Sequence, residues 1–248
     1  MKLTVLGSNG WFPANGQLTA SYILEYKDTL IVIDAGTGIA NFNLHTDILE
    51  KYDTVHVILS HYHFDHSVGI VYFNRWMTDK HLCFYFPAGK YYQSGAIGFE
   101  NAIFAKGYNS GSLKGLAKRV SVFEYDENGF TINRIKIKTL ALKHSNPSFA
   151  LNFDDRFLYC TDTPTDEKVL RENSGCALIA HECWSKTDIS GGRHTDFESL
   201  SAVLNKIGYT GKILLIHKNP DLSANDYKEM IQNCQDIAVA MDNDVIKI

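Results

Sequence analysis

The 248 residues allow one large domain or two small ones, and a hydrophobic content of 45% supports a sizeable core. A formal net charge of −4, from 24 basic against 28 acidic residues, excludes a protein that holds a long polyanion on a basic surface alone. A small anion remains open, because bound metal ions bring their own positive charge. Five scattered cysteines without a Cys-x-x-Cys pair argue against a thiolate zinc site or a disulfide framework. No apolar stretch is long enough to cross a bilayer, and MKLTVLGSNG lacks the apolar run of a signal peptide, so a cytoplasmic protein is expected.

In chain order, Lys2–Leu6, Tyr22–Tyr26 and Thr29–Ile33 read as strands, the last two joined by a turn at Lys27-Asp28. Thr54–Ser60 is rich in β-branched residues and reads as another. Residues 87–120 carry Tyr91, Tyr92, Phe99, Phe104 and Tyr108 among glycines and read as an irregular insertion within one domain spanning 1–248. A lid, a dimer contact and ordinary packing all fit that segment. Ile132–Leu142 alternates, with Arg134, Lys136 and Lys138 on one face, which reads as a solvated strand face. Phe149–Phe153 and Phe157–Cys160 form an expected hairpin around Asp154-Asp155, while Ala177–Ala180 and Ile213–Ile216 are short, apolar and expected to be buried.

Thr195-Asp196-Phe197-Glu198 has the spacing of a capping box. Phe197, Leu200, Val203, Leu204 and Ile207 follow at helical spacing, and Gly208 supplies a stop. Ser223 with Asp226 opens a second helix, expected to run to about Gln235, and Ile237–Met241 with Val245–Ile248 reads as a closing hairpin.

The chemistry concentrates in His61-Tyr62-His63-Phe64-Asp65-His66, directly after a strand. His61 and His63 are two apart, so on an extended segment their rings point the same way. Asp65 and His66 follow where the chain must turn and can face a second point nearby. That arrangement suits two metal ions better than one, and imidazole with carboxylate suits Zn²⁺ first, with Mn²⁺ or Fe also open.

This segment resembles the His-x-His-x-Asp-His motif of the metallo-β-lactamase superfamily, and further elements of that family follow in order. Asp34, before Ala35-Gly36-Thr37-Gly38, is similar to the acidic residue that braces the ligand loop. His144, Asp162 and His217, each near a strand end, match the remaining ligand positions. The resemblance implies an α+β, four-layer αββα sandwich with two divalent ions per chain. One would take His61, His63, His144 and Asp162, and the other Asp65, His66, Asp162 and His217. Asp65 then counts with the catalytic residues as well as with the ligands, and a homodimer is implied.

The motif is shared by lactamases, lactonases, thioesterases, diiron reductases and nucleases, so it selects no substrate. Ala180-His181-Glu182-Cys183 followed by Gly192-Arg193-His194-Thr195 is similar to the tRNase Z branch. The resemblance implies His194 as general acid, oriented by Glu182, because a poor alkoxide leaving group needs a proton. His181 has no clear role, and His45, His56 and His81 lie outside the pattern. The 17 residues between His144 and Asp162 leave no room for the long arm with which tRNA-processing members grip tRNA. The expectation is therefore an armless phosphodiesterase acting on a small or nucleotide-like diester, with long nucleic acid and membranes excluded as partners. A metallo-hydrolase of acyl bonds, a tRNase Z-like ribonuclease and a metal-bound protein without turnover are the alternatives.

Overall fold

Along Ile135–Leu142 the isoleucines 135 and 137 are buried while Lys136 and Lys138 are exposed, the period-two pattern of a strand with one wet face. Patterns of this kind build two seven-stranded sheets in the computed structural model, which describes residues 1–90, 95–106 and 111–248. The first sheet contains β1 (Lys2–Gly7), β2 (Ser21–Tyr26), β3 (Thr29–Ala35), β4 (Thr54–Ile58), β5 (His81–Pro87) and β6 (Arg119–Tyr125) in sequence order. The second contains β7 (Phe130–Ile132), β8 (Ile135–Leu142), β9 (Ser148–Phe153), β10 (Phe157–Cys160), β11 (Leu178–Glu182), β12 (Lys212–Ile216) and β13 (Ile237–Val239), also in order. β14 (Val245–Lys247) returns to the first sheet beside β1.

Each sheet pairs its first four strands antiparallel and the rest parallel, with the change at β3–β4 in one and β10–β11 in the other. Three apolar clusters define the layers. Tyr22, Ile31 and Ile33 meet Ile137, Phe149 and Tyr159 between the sheets. Val32, Val57 and Phe84 pack outward against Phe42, Ile70 and Phe73, and Leu158, Ile179 and Leu215 pack against Leu200, Leu204 and Tyr227. This is the metallo-β-lactamase fold, two mixed sheets with flanking helices. Among the described residues, no helix is long and apolar enough to cross a membrane.

Several local expectations change. The strand expected from Ile132 begins at Ile135, because Asn133 turns the chain at φ 52° and creates the β7–β8 hairpin. The C-terminal strands are not a hairpin: β13 joins β12 while β14 joins β1, so the chain crosses from one sheet to the other. The helix opened by Ser223 has the full capping box with Asp226 but stops at Met230. The cap of the Phe197–Ile207 helix is Asp196, whose side chain accepts from the Ser199 N–H, and not Thr195. Residues 87–120 are more regular than expected, since they contain the Gly95–Ile103 helix and the start of β6. Phe99 and Phe104 are buried there, while Tyr91, Tyr92 and Tyr108 lie outside the described residues.

Candidate metal centre

The site lies beyond the ends of the parallel strands, where their connections converge. Burial requires every polar group there to find a partner, and Asp34 supplies several. Its carboxylate accepts from the Ser60 N–H at 2.7 Å, the Ser60 hydroxyl at 2.9 Å and the Tyr159 hydroxyl at 2.6 Å, and pairs with His66 Nδ1 at 2.7 Å. Asp34 is fully buried and sits at φ 56°, a left-handed conformation that turns its side chain beneath the loop. The bracing geometry expected of it is present.

That loop presents His61, His63, Asp65 and His66 towards Asp162, two residues beyond β10. Asp162 Oδ2 is 3.1 Å from His61 Nε2 and 3.4 Å from His144 Nε2, with His63 Nδ1 at 4.0 Å. Asp162 Oδ1 is 2.8 Å from His217 Nε2 and 3.5 Å from His66 Nε2. Asp65 Oδ2 lies 3.2 Å from His217 Nε2 and 3.4 Å from His66 Nε2. The two oxygens of one carboxylate thus face two separate groups of donors. His61, His63, His144 and Asp162 can converge on one cation, and Asp65, His66 and His217 on another.

Two observations test whether these donors fit cations. His61 Nε2 and His66 Nε2 are buried without a hydrogen-bond partner, yet both are aimed at Asp162. His144 Nε2 and His63 Nδ1 approach to 3.2 Å. At that separation one ring donates to the other, and a cation can take the place of the proton between the two nitrogens. Nitrogen and oxygen donors without thiolate are a set suited to Zn²⁺ or a similar ion. The buried His/Asp clusters are consistent with a dinuclear site.

Electrostatics reflect the crowding. Burial would raise the Asp162 carboxyl, but His217, His66 and His61 outweigh it and hold it well below the usual range. Burial lowers His217, yet Asp162 and Asp65 lift it to about 10, whereas His144 is pushed down to about 4 mainly by burial. Close packing is also required: a Cβ at Gly10 would stand 2.5 Å from the His217 ring. His217 and Asp162 take φ of 44° and 48°, so both are held in left-handed conformations that cost non-glycine residues about 1–2 kcal/mol each.

Beside the clusters stands a third group. His194 Nδ1 is 2.9 Å from Glu182 Oε2, and the other Glu182 oxygen accepts from the Thr163 N–H. Burial raises the Glu182 carboxyl even with His194 against it. Trp184 stacks on His194 with ring centroids 4.6 Å apart. Ser190 shapes the loop by accepting from the His194 and Arg193 N–H groups. His181 faces away, with Nδ1 2.9 Å from the Glu182 carbonyl oxygen, and burial lowers it to about 4. His45 pairs with Asn243, while His56 lies against Tyr85 and His81 against Ser121.

All of the named candidates except Glu182, His61 and His66 line one cleft of about 730 Å³, whose rim adds Trp11, Phe64, Trp184, Ile189 and Arg193. Sequence reasoning assigned none of those five a role. Trp11 had a visible signal: a tryptophan between Gly10 and Phe12 in a polar segment with no periodicity to bury it.

The fold and the double cluster of histidine and aspartate place the protein in the metallo-β-lactamase fold superfamily. Within it, a family model described as Anti-Pycsar protein Apyc1 matches residues 1–235, and the chain belongs to that family. It is 37% identical over 70 residues to the Probable metallo-hydrolase YhfI of Bacillus subtilis (strain 168), a match that spans 28% of either chain. The solved structure of YhfI from Bacillus subtilis, a metallo-β-lactamase fold protein, superposes with a TM-score of 0.76 at 20% identity over 99% of both chains. A diphosphatase from the PhnP family gives 0.74 at 16% identity, over 100% of this chain and 97% of that one. The short form of human tRNase Z gives 0.64 at 17%, over 100% and 99%. At such identities these structures establish the fold.

Proposed function

We propose that this protein is a dinuclear metal-dependent phosphodiesterase whose substrate is a small nucleotide diester, a cyclic nucleotide above all. His61, His63, His144 and Asp162 would hold one ion, Asp65, His66 and His217 the other, and Asp162 would be shared. Divalent ions held there would polarise the phosphoryl oxygens and lower the pKa of a bound water.

The observation that carries the reading is the Glu182–His194 pair beside the double cluster, 2.9 Å from nitrogen to oxygen. With Nδ1 held by the carboxylate, His194 Nε2 is the nitrogen free to act on substrate. In hydrolysis, oxygen from water bonds to phosphorus as the P–O bond to the leaving alkoxide breaks. His194 Nε2 delivers the proton that this alkoxide needs, and Glu182 stabilises the imidazolium until it does. The thiolate of a thioester leaves without such help, so the pair favours an alkoxide leaving group. Trp184 on one face of His194 keeps the ring from rotating away.

Three facts support a small substrate. The cleft of about 730 Å³ has the size of a small-molecule site. The interval between His144 and Asp162 is filled by the β9–β10 hairpin. On the basic strand, Lys138 is ion-paired with Asp155 at 2.6 Å, which offsets part of that strand's positive charge. Membership of the family described as Anti-Pycsar protein Apyc1 points to a cyclic nucleotide within the small diesters.

The test compares kcat/KM of metal-reconstituted protein for cyclic nucleotides, precursor tRNA, a nucleoside diphosphate, a lactone and a thioester under one salt condition. Cyclic nucleotides should lead. Faster cleavage of a precursor tRNA trailer, of an acyl bond or of the diphosphate would overturn the assignment.

A further inference from the structure

Three of the most exposed large apolar side chains among the described residues stand around one cleft. Trp11 is 68% exposed, Phe64 71% and Ile189 65%, and all three line the wall that also holds Asp65, His144 and Asp162. The other tryptophans, Trp76 and Trp184, are partly buried. A soluble protein gains by covering such surface, so grouping it at the mouth of a catalytic cleft indicates something to be covered on binding.

Trp11 is also held in place. Its backbone N–H donates to Asp65 Oδ2 at 2.7 Å, which ties the residue directly to the loop carrying the donors. Its φ of 62° is rare for a bulky side chain and persists only where neighbours enforce it. Gly10 on one side is fixed by an N–H bond to the Lys218 carbonyl, and Phe12 on the other meets the indole edge-on at 5.0 Å. The result is a large, flat, wet aromatic face on a restrained backbone, one hydrogen bond from a proposed metal ligand.

We infer that Trp11 is a specificity-determining residue whose indole stacks on the base of a nucleotide diester while the phosphate sits at the double cluster. This deepens the phosphodiesterase reading and rests on it. Every base has a π face, so a platform of this kind favours base-bearing over base-free diesters without selecting strongly among bases. The backbone bond to Asp65 couples the two ends of the cleft, so base and phosphate engage a single rigid frame.

The test measures, for wild type, Trp11→Ala and Trp11→Phe holoenzymes, the ratio of kcat/KM for a cyclic nucleotide over a base-free cyclic ribose phosphate. Calorimetry gives the matching ratio of affinities for a nucleoside monophosphate and ribose phosphate. In Trp11→Ala both ratios should fall about 10- to 100-fold, the scale of one base–aromatic stack, through KM more than kcat. Trp11→Phe should restore most of the loss. Ratios unchanged in Trp11→Ala overturn the inference, and unchanged ratios with an altered oligomeric state would reassign the rim to a subunit contact. If wild type cleaves neither diester, the phosphodiesterase reading fails on its own, and the calorimetric ratio still decides whether Trp11 recognises a base.

Discussion

In the first sheet, one loop of six residues after β4 carries His61, His63, Asp65 and His66, and Asp34 beneath it fixes their backbone. In the second sheet, His144, Asp162, Glu182 and His217 each come from the end of a different strand, β8, β10, β11 and β12. The two sheets share one pattern of antiparallel and then parallel pairing, so the contrast lies in where the chain spends its polar residues. A single loop can keep its donors together with a few local hydrogen bonds. Four separate strand ends meet only when β8 through β12 have all paired. The first arrangement is a single braced loop and the second is assembled by the fold, and each carries left-handed residues, Asp34 in one and Asp162 and His217 in the other.

The largest expected effect falls on the residue through which the halves meet. Asp162→Ala should reduce bound metal from about two ions per chain to less than one. It should lower kcat/KM by about 10³-fold or more, since several kcal/mol of charge stabilisation disappear. His63→Ala, on the exposed side of the loop, should keep the ion held by Asp65, His66 and His217. Elemental analysis beside kinetics separates the two variants, and equal metal loss in both would remove the shared role from Asp162.

Next in size is the Glu182–His194 pair, the proposed acid and its orienting carboxylate, which belongs wholly to the second half. His194→Ala should keep both metals and lose about 10²–10⁴-fold in rate, with a smaller loss on diesters that release nitrophenolate. Glu182→Gln should lose much of the same factor, and the double variant little more than His194→Ala, because an acid and its orienting carboxylate act as a unit. Equal losses with every leaving group would reassign His194 to binding, and additive losses would reassign Glu182 to the fold.

The same contrast explains what could be read in the sequence. The His61–His66 loop was legible because its chemistry lies within six residues after an evident strand. Asp34 and the three separate ligand candidates, His144, Asp162 and His217, were legible through resemblance, since an isolated aspartate or histidine at a strand end has no local signature. No pattern in the residues announces that Asp162 and His217 would adopt left-handed backbone. β5 and β6 escaped because His81–Pro87 is buried along almost its whole length and Arg119–Tyr125 is mostly exposed, so neither alternates in the half-buried manner. The C-terminal strands had hairpin composition, yet pairing is settled by which edge each reaches. Asn133 and Thr195 misled for a simpler reason: a turn or a cap one residue away suits the same residue types.

A smaller pair of variants examines the bond that crosses between the halves. Tyr159 in β10 donates to Asp34 in β3, and losing that bond to a buried carboxylate should cost about 2 kcal/mol. For a chain of this size Tyr159→Phe should therefore lower Tm by about 4–8 °C. Asp34→Asn touches His66 directly, so it should also weaken metal affinity by about 10- to 100-fold. If Tyr159→Phe weakens metal binding as much as Asp34→Asn, the loop depends on the second sheet for its shape, and its bracing is not local.

The smallest effect concerns the turn that carries His194 into the Phe197–Ile207 helix. Asp196 accepts from the Ser199 N–H at 2.9 Å and satisfies one of the helix's first free donors, so Asp196→Ala should cost about 1 kcal/mol. That corresponds to a fall in Tm of about 2–4 °C. Thr195 has a different task. Its buried hydroxyl donates to the Thr163 carbonyl at 2.8 Å, and the Thr163 N–H donates to Glu182. Thr195→Val keeps the volume but leaves that carbonyl unpaired, loosening the corner that aims Glu182 at His194. Its turnover on alkoxide diesters should fall more than that of Asp196→Ala, while nitrophenyl diesters are affected less. Measuring melting and turnover for both variants distinguishes cap from corner. A Thr195→Val protein that melts early with unchanged turnover would return the cap to Thr195 and leave Glu182 oriented by the strand alone.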